Sequence, residues 1–152
     1  MRKDYIGKDK SGREWSVHVD ILKLKQDSNS LTTFVAFYVY SLSRKLIKDS
    51  SNHIGEAHLT IQASTKYIAK IEDIRIELSY RGRRIGSLLL DYVEQWAIHN
   101  NIKILQGDLV RIDQDHISVL KSLYKKHGFV VKLFNKPLLD PRVIGKINKT
   151  IV

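Results

Sequence analysis

The apolar residues of this chain change period as it runs, and each change marks a boundary between elements. Trp15, Val17, Val19 and Ile21 alternate with polar partners between Trp15 and Lys25, the period-two pattern of a half-buried strand. The polar stretch Gln26 to Ser30 reads as a loop, and Leu31 to Leu42 returns to strand character through Phe34, Val35, Phe37, Tyr38 and Tyr40. A second polar loop, Lys48 to Asn52, precedes two further strands at His53 to Gln62 and Tyr67 to Leu78. At Ile85 the spacing switches. Ile85, Leu88, Leu89, Tyr92, Val93, Trp96 and Ala97 follow the i, i+3, i+4, i+7 template of an amphipathic helix. Strands are then expected at Ile102 to Val110, Phe129 to Phe134 and Arg142 to Ile151, with a second helix between the first two.

Two local features carry chemistry. In the strand before the first helix, Ala69 and Ile71 have odd parity whereas Ile74, Ile76 and Leu78 have even parity, so the side chains change face around Glu72 and Asp73. A β-bulge produces that shift. The turn that follows contains Arg81, Gly82, Arg83, Arg84, Ile85, Gly86 and Ser87 and opens directly into the helix. A helix start presents unpaired N–H groups and the positive end of the macrodipole, glycines allow close approach, and arginines add forked donors, so the turn is suited to a pyrophosphate. The second helix has its own punctuation. Asp115 is a good N-cap, Ile117, Leu120, Leu123 and Tyr124 share an apolar face, Lys125, Lys126 and His127 sit at the negative end, and Gly128 suits the left-handed position beyond it.

These segments resemble two motifs of the GNAT superfamily of acyl-CoA-dependent N-acetyltransferases. The loop of motif A reads Gln or Arg, two residues, Gly, one residue, then Gly or Ala. Arg81 and Gly86 fill its ends, and Arg84 stands where the middle glycine is usual. If that position needs positive φ, a side chain there costs about 1–2 kcal/mol. Downstream, Leu123 to Phe129 reads Leu-Tyr-Lys-Lys-His-Gly-Phe and is similar to motif B, where a helix carries a tyrosine and ends in Gly-Phe. The resemblance spans residues 53 to 134, and the helices that usually follow the family's first strand are not evident here.

The resemblance implies a single α/β (α+β) domain of GNAT fold. Its sheet would be mixed, largely antiparallel and twisted, of six or seven strands, with splayed central parallel strands and flanking helices. It implies acetyl-CoA as co-substrate and a primary amine as acceptor. Backbone groups of Ile74, Arg75 and Ile76 would hold the pantetheine arm and residues 81–87 the pyrophosphate. Tyr124 would be the general acid, since a phenol with an ordinary pKa of about 10 is protonated at neutral pH. Glu72 and Asp73 are candidate bases near the bulge, with Asp108 and Glu56 on neighbouring strands.

Composition narrows the alternatives. The 152 residues, 43% of them hydrophobic, suit one domain with a real core. Absence of cysteine removes disulfides, a thiol nucleophile and Cys-ligated zinc. The histidines form no metal constellation: His53 and His58 are expected on opposite strand faces, and His116 and His127 near opposite ends of one helix. An apolar leader and a membrane-length run are both missing, so a cytoplasmic protein is expected, and a homodimer is compatible with all of this. A net charge of +10 points to anionic partners. Three loop arginines do not account for it. Lys132, Lys136, Arg142, Lys146 and Lys149 stand against Asp140 alone, which leaves open a second reading, a CoA-binding or nucleic-acid- or ribosome-binding module without catalysis.

Overall fold

A computed structural model describes residues 2–25, 31–42, 52–110, 117–135 and 142–151. The alternating segments become strands β1 (Asp4–Lys8), β2 (Glu14–Lys25), β3 (Leu31–Ser41), β4 (Gly55–Gln62), β5 (Ile68–Ile76), β6 (Ile104–Val110), β7 (Val130–Leu133) and β8 (Val143–Thr150). They form one sheet in the order β1-β2-β3-β4-β5-β6-β8-β7. Every neighbouring pair is antiparallel except β5 and β6, which run parallel. Helices α1 (Ile85–His99) and α2 (Ile117–Lys126) follow β5 and β6, as a parallel pair requires a crossover between its strands.

The core lies between α1 and the odd-numbered face of the central strands. Val35, Phe37 and Val39 of β3, Ala57 and Leu59 of β4, and Ala69 and Ile71 of β5 join Leu89, Leu90, Val93 and Ala97 of α1 in one buried cluster. Burying each larger side chain of this set stabilises by about 1.5–3 kcal/mol. Phe37 also meets the rings of Tyr92 and Trp96 edge to face, at centroid distances of 6.1 and 5.5 Å. Leu90, which lay outside the predicted apolar stripe, is 1% exposed. The buried stripe is therefore wider than the i, i+3, i+4 template.

Eight strands replace the expected six or seven. The addition is β1, only five residues long, with Tyr5 exposed and Ile6 its one apolar contribution to the core. Such a segment carries no readable period. It is held by pairing with β2, by Gly7, where φ is +129° and a Cβ would lie 2.9 Å from Leu88 Cδ2, and by the Tyr92 hydroxyl, which donates to Asp4. Burial and the hydrogen bond to Asp4 push the Tyr92 phenol up to about 12. At the other end of the sequence expectations, β2 and β3 pair continuously from Trp15↔Ser41 to Lys25↔Leu31. Only residues 26–30 separate them, too few for the family's usual helices.

The end of α2 explains why its motif reads as it does. Phe129 N–H donates to the Tyr124 carbonyl at 3.0 Å and Gly128 N–H to the Lys125 carbonyl at 3.0 Å, with Gly128 at φ +82°. This is a Schellman motif, and its hydrophobic contact is Tyr124 against Phe129, ring centroids 5.3 Å apart. The predicted N-cap, Asp115, lies outside the described residues.

Candidate active site

The bulge falls where the parity shift placed it. Leu59 pairs with Ile71 and His58 with Asp73, leaving Glu72 as the extra residue of β5. On the other side of β5, parallel pairing with β6 runs from Ile68↔Ile104 to Ile71↔Gly107 and stops, although β5 continues to Ile76 and β6 to Val110. The two strands part there. A cavity of about 240 Å³ opens between residues 71–75 and residues 108–110, with Leu120 and Tyr124 of α2 at its wall. Tyr124 is 4% exposed and lines the same cavity as the bulge residue Glu72. Among the described residues no strand lies along the cleft side of β5 beyond Ile71, which leaves room for an extended ligand to pair as an added strand.

The arginine turn joins the far end of β5 to α1. Arg84 occupies the left-handed region, φ 72° and ψ 9°, as the cap of α1, and Gly82 is left-handed too at φ 78°. The position usual for glycine in the related motif therefore does need positive φ here, and Arg84 bears the cost. A Cβ on Gly82 would meet nothing within 4 Å, so the outer side of the turn is open. The helix ladder begins with Leu88 N–H donating to the Arg84 carbonyl at 3.1 Å, and the N–H groups of Ile85, Gly86 and Ser87 precede it. A phosphate has a fitting cradle in these donors and the flanking guanidinium groups.

Three contacts hold the turn in place. Arg81 Nε donates to the Ile76 carbonyl at 2.9 Å, Lys10 N–H donates to the Arg83 carbonyl at 3.1 Å, and the Arg83 guanidinium lies 5.4 Å from the centroid of the Tyr80 ring. Tyr80 in turn packs edge-on against Trp15 at 5.6 Å. The β1–β2 connection that supplies Lys10 is organised by buried Asp9, which accepts from Ser11 Oγ at 2.6 Å, Trp15 Nε1 at 2.9 Å, and the N–H groups of Ser11 and Arg13. Burial works against ionisation of Asp9, yet these donors outweigh it and hold the carboxyl below the usual carboxylate range.

The carboxylates around the bulge are all engaged. Glu72 accepts from Thr60 Oγ1 at 2.7 Å and lies 3.7 Å from Lys70, Asp73 pairs with Arg75 at 3.1 Å, and Asp108 pairs with Lys70 at 3.3 Å. Glu72 and Asp73 line the cleft, as does Asp108. Glu56 has different partners. His53 Nε2 and His58 Nε2 approach the same Glu56 oxygen, at 3.4 and 3.6 Å, and both rings face Tyr38. The expectation that the two histidines lie on opposite faces is thus corrected. His53 precedes β4, which starts at Gly55, so strand alternation does not govern it. His58 Nε2 is buried without a hydrogen-bond partner and stands in register with Asp73.

A second group was not foreseen. His127 Nε2 lies 2.8 Å from Ser87 Oγ and His127 Nδ1 lies 3.0 Å from Asp91, so a serine, a histidine and an aspartate form a chain between the first turn of α1 and the end of α2. Asp91, Glu94 and His127 also bring their ligand atoms within 4.8 Å of one another. Lys149 already fills the cationic place in that group, with Nζ 2.6 Å from Glu94 and bonded to the His127 carbonyl. Lys149 is therefore packing and pairing, not free surface charge. Of the predicted basic surface, Lys132 and Lys146 are exposed register partners on β7 and β8, while Lys136 and Asp140 lie outside the described residues. His116 is outside them as well.

Comparison with known proteins adds independent support. Residues 34–131 match the model of the family described as Acetyltransferase (GNAT) domain. No curated protein matches the sequence. Among solved structures, a GNAT-family acetyltransferase from Streptococcus pneumoniae superposes with a TM-score of 0.56 at 20% identity, covering 78% of this chain and 67% of that one. A GNAT-family acetyltransferase from Staphylococcus aureus Mu50 gives 0.58 at 16% identity, with 77% and 68% covered. The PaiA N-acetyltransferase of Thermoplasma acidophilum, solved in complex with coenzyme A, gives 0.56 at 20% identity, with 78% and 61% covered. At these identities the likeness establishes a shared fold. No helix among the described residues is long and apolar enough to cross a membrane.

Proposed function

Because this chain belongs to the acetyltransferase (GNAT) domain family, we propose that it transfers an acetyl group from acetyl-CoA to a primary amine by direct attack in a ternary complex. The observation that carries the reading is the parting of β5 from β6 after Ile71↔Gly107, with the bulge at Glu72 and the Tyr124 side chain at the wall of the cleft. Acetyl-CoA supplies the activated thioester. Residues 81–87 bind its pyrophosphate through the first-turn N–H groups of α1 and the loop arginines, and Ile74, Arg75 and Ile76 hold the pantetheine arm with their backbone. One N–H at the bulge donates to the thioester oxygen as negative charge develops, a contribution worth about 3–4 kcal/mol in hydrolases where it has been measured. Tyr124 gives its proton to the departing sulfur. Glu72 or Asp73 takes the proton from the amine, each after loosening the partner it holds in the free protein.

The first test is binding. At a hundred times its dissociation constant, acetyl-CoA stabilises by about 2.7 kcal/mol, which for a domain of this size raises Tm by about 5 °C or more. Gly86→Asp should abolish that shift, because it places a carboxylate among the groups that hold the pyrophosphate. A Cβ at Gly86 makes only ordinary contacts, 3.8 Å to Leu123 and 3.9 Å to Ile76, so Gly86→Ala should keep much of it. Equal stabilisation of wild type and Gly86→Asp would remove the loop from the binding site.

A further inference from the structure

His127 is a buried imidazole with both ring nitrogens committed, and the transfer chemistry proposed above does not use it. Its side chain is 7% exposed. Asp91 fixes one end by accepting from Nδ1–H at 3.0 Å, which leaves Nε2 to face Ser87 Oγ at 2.8 Å. With a neutral ring, Nε2 is an acceptor, so the Ser87 hydroxyl must point its hydrogen at His127. With a protonated ring, Nε2–H becomes the donor and the Ser87 hydrogen is released to another acceptor. The two states therefore present opposite faces of one hydroxyl to the start of α1.

Ser87 is the third residue of α1, so its own N–H is among the first-turn groups that suit an anion and its hydroxyl is carried on the same turn. A phosphate oxygen has only lone pairs to offer. Against neutral His127, Ser87 must either show the phosphate its own lone pairs or abandon the buried Nε2. Both choices are unfavourable. We propose that His127, oriented by Asp91, is a positioning residue for the Ser87 hydroxyl, and that the protein takes up a proton at His127 Nε2 when it binds the pyrophosphate of acetyl-CoA. This rests on the acetyl-CoA reading of the loop. The relay then runs Asp91 to His127⁺ to Ser87 to phosphate, every donor facing an acceptor.

The charges around the ring are compatible with such a change. Asp91 and Glu94 face it from α1, Lys149 faces it from β8 and is neutralised by Glu94, and Lys125 and Lys126 precede it on α2, both exposed. Two carboxylates therefore offset the one ammonium that approaches the ring, and the added proton meets net negative surroundings. Because Lys149 bonds the His127 carbonyl, the backbone beneath the ring is pinned while its protonation changes.

Calorimetric titration with acetyl-CoA in buffers of different ionisation enthalpy, at pH 6, 7 and 8, counts the protons taken up. Wild type should show greater uptake near pH 7 than Ser87→Ala. Its affinity should fall by up to about tenfold for each pH unit over which the coupling acts, more steeply than that of Ser87→Ala or His127→Gln. The phosphate monoester of the ligand titrates too, but its contribution is common to all three proteins and cancels in the differences. The same proton count and the same pH slope in wild type and Ser87→Ala would overturn the proposal while leaving cofactor binding intact. Absence of binding heat in wild type at every pH would overturn the acetyl-CoA reading itself. If His127→Gln does not fold, the imidazole resonance that moves in Ser87→Ala identifies His127. Adding acetyl-CoA at pH 7 should move that resonance toward its protonated position in wild type, and an unmoved resonance would refute the coupling.

Discussion

Arg84→Gly is expected to raise the stability of the fold, because the loop makes an arginine adopt φ 72° and ψ 9° at the cap of α1. A side chain in the left-handed region costs about 1–2 kcal/mol, whereas glycine brings about 0.5–1 kcal/mol of extra chain entropy in the unfolded state. The net gain is therefore centred on about 0.75 kcal/mol, within a range of about 0–1.5 kcal/mol. For a domain of 152 residues that corresponds to a rise in Tm of about 1–4 °C. Arg84 is exposed, so little packing is lost with its side chain. Arg84→Ala is the control: it removes the same guanidinium but keeps the Cβ, so it should gain nothing. Thermal and urea denaturation of the three proteins without ligand give the answer. Equal stabilisation by alanine and glycine would show charge relief, not backbone strain, to be responsible. The strain also has a functional corollary. If Arg84 reaches a CoA phosphate, Arg84→Gly should weaken acetyl-CoA binding, with the loss largest at low salt.

Three further outcomes follow from single contacts. Gly107→Ala should destabilise by about 1–3 kcal/mol in urea denaturation, because a Cβ there would lie 2.7 Å from the Ile71 carbonyl at the point where β5 and β6 part; a neutral effect would show that the strands separate earlier than Gly107. Asp9 has its carboxyl held low in the folded state, so it contributes stability that is present above the unfolded pKa of about 3.9 and lost as pH falls through the folded value. The stability gap between wild type and Asp9→Asn should therefore narrow from pH 5 toward pH 3, and a constant gap would contradict this. Tyr92→Phe should release the N-terminal strand by removing the hydroxyl bonded to Asp4, visible as faster hydrogen exchange confined to β1 and its partner in β2.

How far the sequence revealed this structure depended on whether a signal was periodic and local. The helix at Ile85 and the strands of the central sheet were legible because apolar spacing repeats over many residues. Even the bulge could be read, since Ile71 and Ile74 differ in parity across one extra residue. Arg84 in a glycine place and the Tyr124 to Phe129 motif were readable as local chemistry, and both have backbone causes in the structure, positive φ and a Schellman turn. β1 escaped because one inward side chain makes no period. The Ser87, Asp91 and His127 chain escaped for another reason. Ser87 and His127 are forty residues apart and meet only where the start of α1 comes against the end of α2, although Ser87 and Asp91 at i, i+4 share a helix face. Lys149 was misread as surface because charge counting is blind to Glu94, 55 positions away in sequence.

Acyl transfer at the cleft between β5 and β6 can be followed by thiol release from acetyl-CoA in the presence of a panel of primary amines, comparing wild type with Tyr124→Phe. The variant keeps the ring that packs on Phe129, so it should still fold and bind acetyl-CoA. At least one amine should accelerate thiol release by wild type, and Tyr124→Phe should lower kcat for it by about 10²–10⁴-fold, the range for loss of a general acid. Thiol release that no amine accelerates, or turnover that the phenylalanine leaves unchanged, would contradict acyl transfer with Tyr124 as its general acid.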